Sequence, residues 1–453
     1  MARFEIHTIA PDNTQRILIY DNEASTLTWE DGEPVVPYAP AVFADASVIS
    51  STAPGTKGLI RTLKISLGLS CNYACSYCSQ RFVPHAENTG PQDVADFLQQ
   101  LTASVEAPPG RIEFWGGEPL VYLKTLRPLA NALRELYPAA QFSIITNGSL
   151  LTRDINAWLD ETGFSVGLSH DGPGQSARGP DPLDDPDRRD AIFDLYRRLH
   201  PKGKISINPM ISAHNPSRGA VQAWLQARFG EDVQIGEGAF IDPYDEGGIA
   251  ATFHTPEEHA RFRRHAFADL RNGAASRFAI ASSKVLDFIQ SIREQRPARA
   301  VGQKCGMDRS DNIAVDLKGN VLTCQNVSAA AQAPNGEPHR IGHLSDLKEV
   351  SMRSATHWRH RPQCPGCPVL QLCKGSCMFL EGALWQAGCD AAYSDNAVFL
   401  AAAIEFLTGC VPVFIEGDIP PERKDVFGFI QQGTSDPPKK RVIPIQAVEA
   451  VTP

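Results

Sequence analysis

The chain has 453 residues, 42% of them hydrophobic and 21% charged. This is ordinary globular material for roughly two to four domains, which excludes a collagen, a disordered chain or a disulfide-stapled miniprotein. The formal charge of −9, from 43 Lys+Arg against 52 Asp+Glu, argues against a nucleic-acid backbone as the main partner.

Residues 1–57 read as a small β module. Runs at 4–9 and 16–20 are separated by a Pro-Asp-Asn turn, and 26–29 adds a third strand. From about residue 60 the pattern becomes strand then helix, repeated. Short apolar or β-branched runs at 62–69, 112–115, 143–146, 165–169, 205–211 and 233–240 predict six strands. Helical spacing between them is carried by Val94, Phe97 and Leu101, by Leu126, Leu129 and Leu133, by Ile192, Leu195 and Leu199, and by Val221 and Leu225. Such alternation implies parallel strands with right-handed crossovers, and ligand groups at the C-terminal strand ends. The fold class expected is α/β: a partial (βα)6 TIM-type barrel with an N-terminal β module and a C-terminal cysteine-rich domain. The boundaries are 1–57, 58–296, 297–396, and 397–453 for a final helix and extended tail. Residues 255–295 read as helical, as do 391–407, and the proline-rich 416–453 reads as extended or disordered.

The N-terminus lacks an apolar signal core and the most apolar late stretch, 401–415, is too short to span a bilayer. We therefore read the chain as cytoplasmic, with neither membrane nor nucleic acid as a partner. Its eleven cysteines then point to metal or redox chemistry rather than disulfides. None falls between Cys78 and Cys305.

The first set, Cys71, Cys75 and Cys78, follows the first barrel strand with spacing Cys-x3-Cys-x2-Cys. Three thiolates on one loop suit three irons of a four-iron cluster and leave one iron open. A zinc site completed by His85, or structural thiols, are the alternatives from spacing alone. With Tyr77 before the last cysteine, the loop resembles the signature of the radical S-adenosylmethionine (SAM) superfamily. Gly116-Gly117-Glu118-Pro119, after the second strand, resembles that family's glycine–glycine–glutamate segment, which binds the amino end of the methionine moiety. The resemblance further implies cofactor contacts from Asn147 at the end of the third strand, Ser169 at the end of the fourth and Arg178 beyond it. Arg188 and Arg189 compete for the arginine's place. Asn208 on the fifth strand is set within reach of the same ligand, with sheet packing as its other explanation. Asn147 and Asp171 also suit turns, and His170 receives no role.

The C-terminal set is Cys305, Cys324, Cys364, Cys367, Cys373, Cys377 and Cys389. Its spacing, with Gly319 between the first two, resembles the seven-cysteine pattern of SPASM domains. The whole resemblance covers residues 60–395. It implies two auxiliary [4Fe–4S] clusters with interleaved ligands: Cys305, Cys324 and Cys377 on one, Cys364, Cys367, Cys373 and Cys389 on the other. With the catalytic cluster the chain would hold three. No cysteine stands at 296–304, so the first auxiliary set lacks a cysteine as fourth ligand. Cys410 reads as a core thiol.

The resemblance implies SAM bound at the open iron, reductive cleavage to a 5′-deoxyadenosyl radical, and hydrogen abstraction from a substrate C–H. A flavodoxin or ferredoxin would donate electrons. The substrate expected is a precursor peptide or protein, given a thioether or carbon–carbon crosslink or another modification. Formylglycine formation, as in anaerobic sulfatase maturases, is the second reading. Gln325 stands where those maturases carry an acidic residue after the cysteine. A non-catalytic cysteine-rich metal-binding protein is the third. Residues 1–57 would be a structural cap or a leader-peptide binder acting by strand addition.

Overall fold

The computed structural model describes residues 2–46, 55–353 and 355–417. Two sheets organise them. The smaller has β1 (Arg3–Ile9), β2 (Gln15–Asp21) and β3 (Thr26–Trp29) in an antiparallel meander. Alternation buries Phe4, Ile6, Leu18, Tyr20 and Leu27 on one face.

The larger sheet begins with β4 (Thr62–Ser66). Then come α1 (Val94–Ser104), β5 (Arg111–Trp115), α2 (Leu123–Leu136), β6 (Gln141–Thr146), α3 (Arg153–Thr162), β7 (Phe164–Leu168), α4 (Pro186–Leu199), β8 (Ile205–Ile207) and α5 (Arg218–Phe229). Strands β4 to β8 are parallel neighbours in chain order. One face carries Leu63, Ile65, Ile112, Phe114, Phe142, Ile144, Phe164 and Val166, all buried. The rings of Phe114, Phe142 and Phe164 meet at 5.4–5.5 Å between centroids. The alternate positions, Lys64, Ser66, Glu113, Trp115, Ser143, Ser165, Ser206 and Asn208, make the other face polar. Helix α3 was not anticipated in the periodic pattern; Ile155, Trp158 and Leu159 form its buried side.

The sixth expected strand, 233–240, is reduced to isolated parallel bridges, Ile207 to Ile235 and Ile211 to Phe240. Two glycines explain this. A Cβ on Gly236 would sit 2.2 Å from Asn208 Oδ1, and one on Gly238, with φ +155°, would sit 2.4 Å from the Phe278 ring. Close approach at both points takes the chain out of a regular ladder.

Helices α6 (Glu246–Ala250), α7 (Pro256–Arg271) and α8 (Ala279–Arg293) follow, as the helical reading of 255–295 anticipated for the last two. Then β9 (Asn312–Asp316) joins β4 in parallel, and β10 (Asn320–Leu322) and β11 (Arg340–His343) extend the sheet antiparallel. After the short α9 (Leu370–Cys373), α10 runs Gly382–Thr408, starting nine residues before the expected 391 and including Cys389. Barrel side chains pin it: Arg218 lies 2.8 Å from Asp395, His259 Nδ1 2.8 Å from Ser394 Oγ, and Lys284 Nζ 2.6 Å from Asn396 Oδ1.

The chain then forms β12 (Val411–Gly417), antiparallel to β1, giving the order β12-β1-β2-β3. Residues 411–417 are therefore strand where an extended tail was expected from 416; the rest of that expectation, 418–453, lies outside the described residues. So does most of the linker at 50–58. The small sheet packs on α8 and the cysteine-rich segment: Tyr20 meets the Phe288 ring at 5.6 Å, and Asn22 Nδ2 donates to the carbonyls of Pro365 and Cys367.

Candidate functional site

The Cys71–Cys78 loop leaves the C-terminal end of β4, and its first turn is held by the segment that leaves β5. Gly117 N donates to Gly68 O and Glu118 N to Ser70 O, each at 3.0 Å. A Cβ on Gly117 would lie 2.4 Å from Leu69 O and 2.5 Å from Ser70 O, so only glycine allows this approach. Tyr122 Oη accepts from Ser70 N at 2.7 Å. Gly116 and Gly117 thus act first on the cysteine loop.

Glu118 is buried, and its carboxylate accepts from Leu120 N, Thr146 Oγ1 and Asn147 N at 2.8–3.0 Å. Burial raises its pKa against these three bonds. Asn147 accepts from Ser149 N at 2.9 Å, the turn expected of it, and its Nδ2 donates to Asn72 of the cysteine loop at 2.9 Å. Three successive strand ends are thereby tied to one loop.

On the loop's other side, Ser76 N donates to Ala177 O, and Tyr77 Oη donates to Asp171. Arg178 Nη1 donates to Tyr77 Oη at 3.0 Å and to Asp171 at 3.3 Å, while its buried Nε has no hydrogen-bond partner among the described residues. Burial opposes the charge of Arg178, but Asp171, Tyr77 and Cys75 outweigh it and raise its pKa. Of the three candidate arginines, Arg178 therefore stands against the cysteine loop. Arg188 instead pairs with Asp185 at 3.5 Å, both half-exposed. Asp171, read as a turn former, is the hub here: it also accepts from Met210 N at 2.9 Å. A lone Asp beside glycines carries no mark of that in sequence.

Ser169 is buried, and its N–H donates to Thr146 O. Asn208 lies between Gly167 and Gly236 and bonds Ser206 Oγ at 3.0 Å, so it also fills the sheet. His170, fully buried and stacked on Trp224 at 4.9 Å, accepts from Gly172 N through Nδ1. Its Nε2 therefore carries the proton donated to Asp181 at 2.9 Å, a structural tie. His85 is exposed and lines a cavity with Leu67, Thr89, Tyr122 and Asp316 at the end of β4.

The thiols fall into three electrostatic neighbourhoods. Burial pushes Cys75 up to about 11, with Cys78 and Cys71 adding to it against Arg178. Burial pushes Cys324 up to about 11, with Cys305 adding to it. Cys377 is pushed up to about 12 by burial, then by Asp242 and Cys324, with Tyr244 hydrogen-bonded to it. Burial raises Cys367 well above its usual range, followed by Cys389, Cys373 and Cys364. Those last four thiols line one cavity with Trp385 and Tyr393. Cys410 is buried beyond them.

Packed thiols with raised pKa values ionise readily only when a cation neutralises them, and loading then releases protons. A single tetrahedral ion with bonds of about 2.3 Å needs sulfurs about 3.8 Å apart. Among the described residues no three cysteine sulfurs lie within 4.8 Å of one another. The donor sets are all sulfur and wider than one ion requires, which suits polynuclear iron–sulfur centres.

Comparison with known proteins agrees. Residues 65–212 match the radical SAM superfamily. The radical SAM cyclopropyl synthase TigE of Paramaledivibacter caminithermalis is 27% identical over 135 residues, 26% of this chain and 29% of that protein. The GTP 3′,8-cyclase of Klebsiella pneumoniae is 25% identical over 188 residues, 39% of this chain and 56% of that protein. The match thus spans between 29% and 56% of these curated relatives' length. A solved structure of anSMEcpe with bound AdoMet superposes with TM-score 0.54 at 18% identity, over 76% of this chain and 99% of that one; it shows a shared fold. The cysteine loop of β4, the glycines that hold it and the matched segment together mark residues 65–212 as a radical SAM domain.

Proposed function

We propose that the chain is a maturase that abstracts hydrogen from a peptide or protein and installs a crosslink or another modification. The observation that carries this reading is the division of the thiols: three on the β4 loop, and seven that separate as Cys305/Cys324/Cys377 and Cys364/Cys367/Cys373/Cys389. We assign these as ligands of one catalytic and two auxiliary [4Fe–4S] clusters. SAM, bound at the reduced catalytic cluster, supplies the hydrogen-abstracting power. Gly116, Gly117, Glu118, Asn147, Ser169, Arg178 and Asn208 are its binding residues in this reading. Arg178, whose Nε has no partner among the described residues, supplies a cation for a carboxylate, and the polar barrel face orients the substrate.

A peptide substrate is supported by anSMEcpe, whose solved structures include one with a bound Cp18Cys peptide. Crosslinking is favoured over formylglycine formation by Gln325, which offers no base and accepts from Lys64 Nζ at 3.4 Å. Leader binding by strand addition at β1 is disfavoured, because β12 holds that edge, and residues 33–35 fold back on β3. A flavodoxin or ferredoxin is the proposed electron donor.

The test is anaerobic incubation of the iron-reconstituted chain with SAM, dithionite and candidate peptides, including any short peptide found encoded beside its gene. A peptide that loses a pair of hydrogens and does not react with hydrazide supports crosslinking. A hydrazide-reactive product selects formylglycine formation. Deoxyadenosine formation that leaves every candidate peptide unchanged overturns the maturase reading.

A further inference from the structure

On the small sheet, three metal-ligating side chains converge from opposite ends of the chain. Glu5 and His7 are two residues apart on β1 and project to the same side. Glu416 on β12 is the register partner of Glu5. The ligand atoms of Glu5, His7 and Glu416 all lie within 4.8 Å of one another, and His7 Nε2 is 3.1 Å from Glu416 Oε1. A β-bulge interrupts the β1–β12 register between His7 and Thr8, and the Phe414 ring meets the imidazole edge-on at 5.6 Å. Bulges re-aim side chains locally, and this one adjoins the triad.

Two carboxylates directly opposed across an antiparallel pair repel each other. One imidazole carries at most a single positive charge and does not neutralise both. A divalent cation does. One imidazole nitrogen and two carboxylate oxygens form a borderline-hard donor set suited to zinc, with a further position for water. Zinc bonds of about 2.0–2.1 Å require ligand atoms about 3.4 Å apart. The exposed Glu5 side chain has the freedom to close that difference. The set contains no sulfur, so its chemistry differs from that of the cysteine groups.

We propose that Glu5, His7 and Glu416 form a divalent-cation site of zinc type that clips β12 onto β1. It would join residues 409 positions apart in sequence, where a cross-link most restricts the unfolded chain. Because zinc would bind the folded arrangement, it would stabilise the protein by mass action.

The test uses the full, iron-reconstituted chain, dialysed against zinc, with iron assayed to confirm that the clusters stay loaded. The wild type should take up one zinc that His7→Ala and the isosteric Glu416→Gln bind at least about tenfold more weakly. Zinc should raise the unfolding temperature of the wild type and leave that of both variants unmoved. Zinc-edge X-ray absorption should show nitrogen and oxygen at about 2.0–2.1 Å and no sulfur shell near 2.3 Å. Equal zinc uptake by wild type and variants, or sulfur in the first shell, overturns the proposal. Glu5→Gln on the exposed side supplies a third variant should either of the others fail to fold.

Discussion

The two cysteine regions solve opposite problems. The β4 loop presents exposed Cys71 and half-buried Cys75 and Cys78 at the rim of a polar barrel face, held in place by backbone bonds from the next strand end. The Cys364–Cys389 group encloses a cavity with Trp385 and Tyr393, and Cys364 is itself buried. An incomplete, accessible thiol set beside polar groups leaves room for a reacting molecule. A complete set in an apolar pocket suits electron storage or structure. The first region depends on a precise loop path, the second on the packing of a long helix.

The largest effect should separate the two regions outright. Cys75→Ala should reduce SAM cleavage to background, measured as deoxyadenosine. Cys364→Ala should retain cleavage while product falls, and iron should drop by about four from about twelve per chain. Equal loss of cleavage in both variants would merge the two regions into one functional unit.

Next come the supports of each region. Asp395→Ala leaves Arg218 buried without its ion-pair partner on the helix that carries Cys389. Removing one member of a buried pair should cost about 3–5 kcal/mol, read by denaturant unfolding. On the other side, Gly117→Ala forces the loop carbonyls of Leu69 and Ser70 to move. A displacement of this kind should lower SAM cleavage about a hundredfold with little change in auxiliary iron. The loop's separate dependence on backbone path would be refuted by unchanged cleavage.

The smallest effect is one of pH. His339 is buried beside Thr323, next to Cys324 in sequence, and burial pushes its pKa down to about 4 from 6.5. The unfolded chain then binds a proton that the folded chain refuses. Stability present above the ordinary histidine pKa is lost as pH falls towards 4, by about 2 kcal/mol at pH 5. His339→Gln should flatten that slope in matched unfolding curves at pH 7 and pH 5.

Much of the barrel was legible because its signals are local. Leu129, Leu133 and their neighbours mark α2, and the apolar runs mark β4 to β8. Where local and tertiary demands part, the reading failed. Residues 233–240 look like a strand, but Gly236 and Gly238 bring the backbone against Asn208 and Phe278. Helix α10 begins early because Trp385 and Gly388 are buried on it. The end of β12, residues 416–417, reads as tail because its partner, β1, lies at the other end of the chain.

The sequence by itself determined the number, type and spacing of the thiols, the Gly-Gly-Glu turn and the alternation of strand and helix, since each is written within a few residues. Only the tertiary structure decided that Trp385 and Tyr393 close the cavity lined by Cys364, Cys367, Cys373 and Cys389. It also placed Arg178 against Tyr77 and made Asp171 the hub of the loop's far side. Those choices depend on burial and on contacts between distant segments. Local periodicity carries no record of either.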